Sequence, residues 1–166
     1  MEHSGSALAK QVSSAGSFLF CGRGVHYPIA REGALKLKES AYVHAEAYPA
    51  GELRHGPTAL VSAETPLVVI ATHDHGNVGS VERYRSVLQL MRELREKNAP
   101  LLAIANDGDR QAADLATCII TVEPTTEPLA AIAEVIPLQL LAYFFAVQRG
   151  IDVDHPRNLV KSVQSV

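Results

Sequence analysis

Four stretches of the chain are apolar without interruption: SFLFC (17–21), PLVVIA (66–71), PLLAIA (100–105) and TCIITV (117–122). Runs that do not alternate with polar residues predict strands buried on both faces. Between them the period changes. Val81, Tyr84, Val87, Leu88, Met91 and Leu94 recur at helical spacing, predicting an amphipathic helix from about 80 to 97. DGDRQAADLA (107–116) predicts a shorter one, with Asp107 or Asp109 as its cap. Further upstream, Ile29, Ala30, Gly33, Ala34, Leu37 and Ala41 share one helical face, and Glu32, Lys36 and Glu39 lie in a narrow arc away from its centre. Strands that alternate with helices predict an α/β domain: three layers, with a parallel sheet between helices on both faces. Ligands of such sheets sit at the carboxyl ends of the strands. Here those ends read GRG, HDHGN and NDGD.

LAAIAEVIPLQLLAYFFAV (129–147) is apolar almost all round and about as long as a membrane span. Glu134, Pro137 and Gln139 in its middle instead predict a helix buried in the core or in a subunit contact. The 166 residues suit one domain, and 47% hydrophobic residues suffice for a sizeable core. A net charge of −3, no basic stripe and 5% aromatic residues give no sign of a nucleic-acid partner. Cys21 and Cys118, both in strand-like runs, read as buried free thiols of a reducing compartment. Residues 1–16, opening with MEHSGS, read as a leader or cloning remnant, 17–150 as the folded domain and 151–166 as a C-terminal tail.

The stretch REGALKLKESAYVHAEAYPAGELRHGP (31–57) concentrates ionisable groups. The plain reading of Glu32, Lys36 and Glu39 is an exposed set of i,i+4 and i,i+3 ion pairs. CGRGVHY has GxG spacing, but it lacks the third glycine of a dinucleotide fingerprint. His44, Glu46, Glu52 and His55, or His73 and His75, are candidate metal ligands without metal-site spacing. Met1–Glu2 offers no N-terminal nucleophile for a glutaminase. Acid–base chemistry on a small polar substrate remains: Glu39 near Lys36 and His55 is suited to moving protons near neutral pH. Gly51 and Gly56–Pro57 bracket His55 and fix it at a constrained position.

GRG, YPIAREGALKLKESAYVHAEAYPAGELRHGP, VIPLQLLAY and DVDHPRNLVKSV, in that order, closely resemble the glucosamine-6-phosphate synthase family. The match runs from about Phe18 to Val163, to the second of the family's two sugar isomerase (SIS) domains and its tail. The resemblance implies a flavodoxin-like fold, no cofactor and no metal, a cytoplasmic setting and a homodimer. It implies that Glu39 shuttles a proton between C1 and C2 of the sugar, and that Lys36, partnered by Glu32, assists at the sugar oxygens. His55 would open the sugar ring in the neighbouring subunit's site. Lys161 would form a Schiff base with open-chain fructose 6-phosphate, with Val160 lying against the sugar. Such a lysine needs a depressed pKa in the assembled site, and Glu39 should be partly desolvated beside a cation.

The family's glutaminase domain and first SIS domain have no counterpart here. The first SIS domain supplies the hydroxyl-rich loop that holds the sugar phosphate, whereas ATHDHGN (71–77) offers Thr72 alone, beside Asp74. The ending QSV also departs from the family's usual acidic one. The expectation is therefore an isomerase-domain fragment with weak or no activity by itself. The alternatives are a stand-alone phosphosugar isomerase or deaminase, and a non-catalytic sugar-phosphate sensor or dimerisation module.

Overall fold

A computed structural model describes residues 12–159. Five strands form one parallel sheet: β1 (Ser17–Gly22), β2 (His44–Pro49), β3 (Leu67–Ala71), β4 (Leu101–Asn106) and β5 (Cys118–Val122). Their spatial order is β2-β1-β3-β4-β5, that of the flavodoxin-like doubly wound fold. Helices α1 (Tyr27–Ala41), α2 (Val78–Arg95), α3 (Arg110–Leu115) and α4 (Glu127–Gln148) link or follow the strands. The three-layer α/β expectation holds.

The two faces of the sheet follow directly from strand alternation. Phe18, Phe20, Val68, Ile70, Leu102 and Ile104 point to one side and meet α1 and α4. Leu19, Cys21, Leu67, Val69, Leu101 and Ala103 point to the other and meet α2 and α3. With helices on both sides, β3 and β4 are buried at every position, which explains their unbroken apolar runs. The α2 helix begins where Asn77 accepts a hydrogen bond from the Ser80 N–H at 3.1 Å. At α3 it is Asp109 that caps, accepting from the Ala112 N–H at 3.0 Å.

β2 was not among the predicted strands. HAEAYP is an edge strand with mixed exposure, so it never shows a continuous apolar run. Two further expectations need correction. Val12 and Ala15 are buried in the core beneath α1 and α4, so the packed domain begins ahead of residue 17. Cys118 is half-buried; only Cys21 is fully enclosed, and burial pushes its thiol up to about 12, which leaves it protonated and inert.

α4 is long and apolar enough to cross a membrane, yet its inner face is a core face. Leu138, Leu141, Ala142, Phe145 and Ala146 pack on the sheet and on α1. Gly33 makes this approach possible, since a Cβ there would lie 3.0 Å from Leu138 Cδ1 and 3.0 Å from Phe20 Cε1. Gly33→Val should therefore destabilise the domain by about 1–3 kcal/mol through overpacking, read as a lower midpoint in urea unfolding. An unchanged midpoint would mean that α1 and α4 slide apart at no cost.

Candidate active site

Helix α1 carries the charged group on its outer flank. Lys36 Nζ donates to Glu39 Oε2 at 2.7 Å and lies 3.5 Å from Glu32 Oε1. All three side chains are about one-third exposed, so this is neither a solvated surface pair nor a sealed ion pair. The hydrogen bond that Lys36 donates to Glu39, helped by the charges of Glu39 and Glu32, outweighs partial burial and raises the Lys36 pKa. Lys36 is therefore a stable ammonium at neutral pH, with the Glu39 carboxyl group directly beside it.

Beyond this pair lies a cleft of about 220 Å³. Lys36, Glu39 and Ser40 form one wall, Gln139 and Tyr143 of α4 the second. Val153, Pro156 and Leu159, from the segment after α4, close the third side. Ile151 and Val153 of that segment rest against the core, and His155 Nδ1 meets Asp152 Oδ2 at 2.9 Å in a local turn. Leu159, the last residue described, borders the cleft. Val160 and Lys161 follow it immediately in sequence and lie outside the described residues.

The other expected site residues are elsewhere. His55 ends the 3-10 turn Glu52–His55 after β2, is exposed and does not line the cleft. Its neighbour Arg54 pairs with Glu93 of α2 at 2.8 Å and 3.0 Å. Glu32 borders a separate groove along β2, with Lys38, Glu46 and Tyr48. His44 lies 3.8 Å from Glu46 and His73 lies 3.2 Å from His75, but no three such ligands gather among the described residues.

The carboxyl ends of β1 and β3 hold a second polar cluster that the sequence did not disclose. The Thr72 hydroxyl donates to Glu134 Oε1, and His26 Nδ1 meets the same oxygen at 2.8 Å. Glu134 is completely buried. Thr72, the sole hydroxyl of its loop, is thus already committed to a carboxylate. Beside it, Arg83 pairs with Glu127. His73 stacks on Tyr84 at 4.0 Å, and burial, followed by the charge of His75, lowers the His73 pKa.

With this geometry in place, the kinship is clear: the SIS domain family model matches residues 11–149, and the chain belongs to that family. Across 94% of its length it is 46% identical to a glutamine–fructose-6-phosphate aminotransferase (isomerizing) of Bacteroides thetaiotaomicron. It spans about a quarter of the length of the curated relatives it matches, 24% in that case. The C-terminal domain of glucosamine-fructose-6-phosphate aminotransferase from Francisella tularensis superposes with a TM-score of 0.82 at 34% identity, covering 93% of this chain and 42% of that one. A glucosamine-6-phosphate deaminase from Thermotoga maritima gives 0.70 at 26% identity, covering 98% of this chain and 45% of the other. The resemblance read from the motifs is borne out: the chain is homologous to the isomerase region of the aminotransferase.

Ser40, Gln139 and Tyr143 escaped the sequence reading. Gln139 and Tyr143 stand four apart in VIPLQLLAY, a spacing that marks a shared helix face. The raised Lys36 pKa yields a prediction with a definite sign. Its stabilising contribution is fully present below the unfolded lysine value of about 10.4 and is lost as pH rises through the higher folded value. Glu39→Gln should lower the Lys36 titration midpoint more than Glu32→Gln does, followed by NMR of the lysine side-chain resonances. Equal shifts would show that Glu39 is not the dominant partner.

Proposed function

We propose that this chain is the sugar-isomerising unit of a glutamine:fructose-6-phosphate aminotransferase, working on an open-chain ketose phosphate held in the cleft between α1, α4 and the C-terminal segment. The observation that carries the reading is the Lys36–Glu39 pair facing a cleft whose third wall leads directly to Lys161. Lys161 adds through its neutral amine to C2 of the sugar; water leaves and a C=N bond forms. Glutamine-derived ammonia displaces the lysine, and Glu39 takes a proton from C1 and returns it to C2, giving glucosamine 6-phosphate. Lys36, held by Glu32 and Glu39, steadies charge at the sugar oxygens, and Val160 packs against the substrate. The working unit is the packed domain, from Val12 to residue 150, together with the 151–166 tail.

Two features support partners beyond the chain. His55 is exposed and remote from its own cleft, which suits ring opening in a neighbouring subunit. Leu129, Ile132, Ile136, Tyr143 and Val147 leave an exposed apolar stripe along α4, which suits a homodimer contact. The phosphate anchor belongs to a first SIS domain outside these 166 residues, because Thr72 is bound to Glu134 and Asp74 stands beside it. The isolated chain therefore binds sugar phosphate weakly and turns over little. The setting is cytoplasmic, with no metal or cofactor in the chemistry.

Incubating the chain with fructose 6-phosphate and cyanoborohydride should give a reduced adduct on Lys161, found by peptide mass spectrometry. Lys161→Ala should give none, and little glucose 6-phosphate should form. Rapid isomerisation that disappears in Lys161→Ala would instead make the chain a self-sufficient isomerase. Absence of both adduct and turnover in the folded protein would leave a non-catalytic sugar-phosphate module.

A further inference from the structure

Tyr42 terminates α1 in a left-handed conformation, φ 55 and ψ 37, with its N–H donating to the Lys38 carbonyl at 3.2 Å. A bulky side chain seldom adopts that backbone, and such outliers persist where the surroundings demand them. Here the surroundings are the C-terminal segment. The backbone N–H of Arg157 donates to the Tyr42 hydroxyl at 2.7 Å, and the Arg157 guanidinium lies 4.1 Å above the centre of the Tyr42 ring. One side chain thus grips both the backbone and the charge of a residue 115 positions away. The ring offers its negative face to the cation and its oxygen to the amide, a two-point contact that fixes orientation as well as distance.

Lys36 and Glu39 lie in the last two turns of α1, and Tyr42 is the residue that caps its end. Pro156 and Leu159, on either side of the gripped Arg157 in sequence, both line the cleft with Lys36 and Glu39. Lys161 comes two residues after Leu159. Two residues of backbone span at most about 7 Å, so the segment that the Tyr42 contact holds is joined to Lys161 by a short tether.

We propose that Tyr42 and Arg157 form a latch that sets the C-terminal segment in register with α1, acting as positioning residues for the attack of Lys161 on the sugar carbonyl. The proposal rests on the Schiff-base reading above. The latch acts by removing conformations in which the lysine is out of reach, so it changes how often the amine meets the carbonyl and leaves the amine's own reactivity alone. Lysine at 157 is a poor replacement, since an ammonium lacks the flat face that stacks on the ring.

The test uses the full chain and two readouts: hydrogen–deuterium exchange of residues 151–159, and the rate of adduct formation on Lys161 with fructose 6-phosphate and cyanoborohydride. Arg157→Ala, which loses the cation–π contact but keeps the backbone N–H that donates to the Tyr42 hydroxyl, should raise the exchange and slow the adduct about tenfold, and Tyr42→Leu, which loses both contact points, should do so more strongly. Arg157→Lys, which keeps the hydrogen bond and a cation over the ring, should fall between Arg157→Ala and the native chain, and Tyr42→Phe, which keeps the ring alone, between Tyr42→Leu and the native chain. Arg157 is exposed, so its variants test the latch even if Tyr42→Leu unfolds; native exchange in α1 confirms that each variant is intact. Native exchange and native adduct rates in Arg157→Ala would overturn the latch. Faster exchange with an unchanged adduct rate would overturn its positioning role. If the native chain forms no adduct, the Schiff-base reading and the positioning role fall together, and exchange alone then decides whether the latch holds the tail.

Discussion

The close approach of α1 and α4 over one face of the sheet is the constraint on which the candidate site depends. Gly33 is the point of contact: Leu138 and Phe20 fill the volume a side chain would need. Because the helices touch there, their outer flanks diverge into a cleft bordered by Lys36 and Glu39 on one side and Gln139 and Tyr143 on the other. The T-shaped contact of Phe18 with Phe145, 5.2 Å between centroids, anchors α4 to β1 beneath it. Apolar packing sets the distance across which the polar groups act.

The two polar centres have opposite character. Around Lys36 one ammonium faces two acidic side chains, and all three are about one-third exposed. Around Glu134 the carboxyl group is sealed behind Thr72 and His26, and its second oxygen has no hydrogen-bond partner among the described residues. That cluster sits at the carboxyl ends of β1 and β3, where a doubly wound sheet usually receives its ligand. In this chain Glu134 of α4 fills that position between Thr72 and His26, whereas the cleft bordered by Lys36 and Glu39 lies on the flank of the helix pair.

Much of this was legible in the sequence, for identifiable reasons. β1, β3 and β4 announced themselves because helices cover both faces, and β5 because its apolar residues outnumber Thr121, its one exposed polar position. β2 did not, because an edge strand tolerates HAEAYP. The Lys36–Glu39 contact is local, and spacing on one helix revealed it. The helix at 129–147 was legible as apolar, but its outward side, with Gln139 and Tyr143, looked no different from its core side until α1 was placed against it. Thr72 with Glu134 and Tyr42 with Arg157 join positions 62 and 115 residues apart. No pattern within either segment encodes such pairs; the parallel topology creates them.

That separation has a consequence for the order of synthesis. α1 is made early, whereas α4 and the segment behind it come after every strand. Domains are translated N-terminus first, at roughly 5–20 residues per second. For the seconds during which β3, β4 and β5 emerge, Lys36 and Glu39 stand on a helix with no opposite wall. Docking of α4 buries the remaining face of the sheet and raises that wall in the same event. Completion of the core and appearance of the cleft are therefore one step, and no half-made chain encloses the Lys36–Glu39 pair.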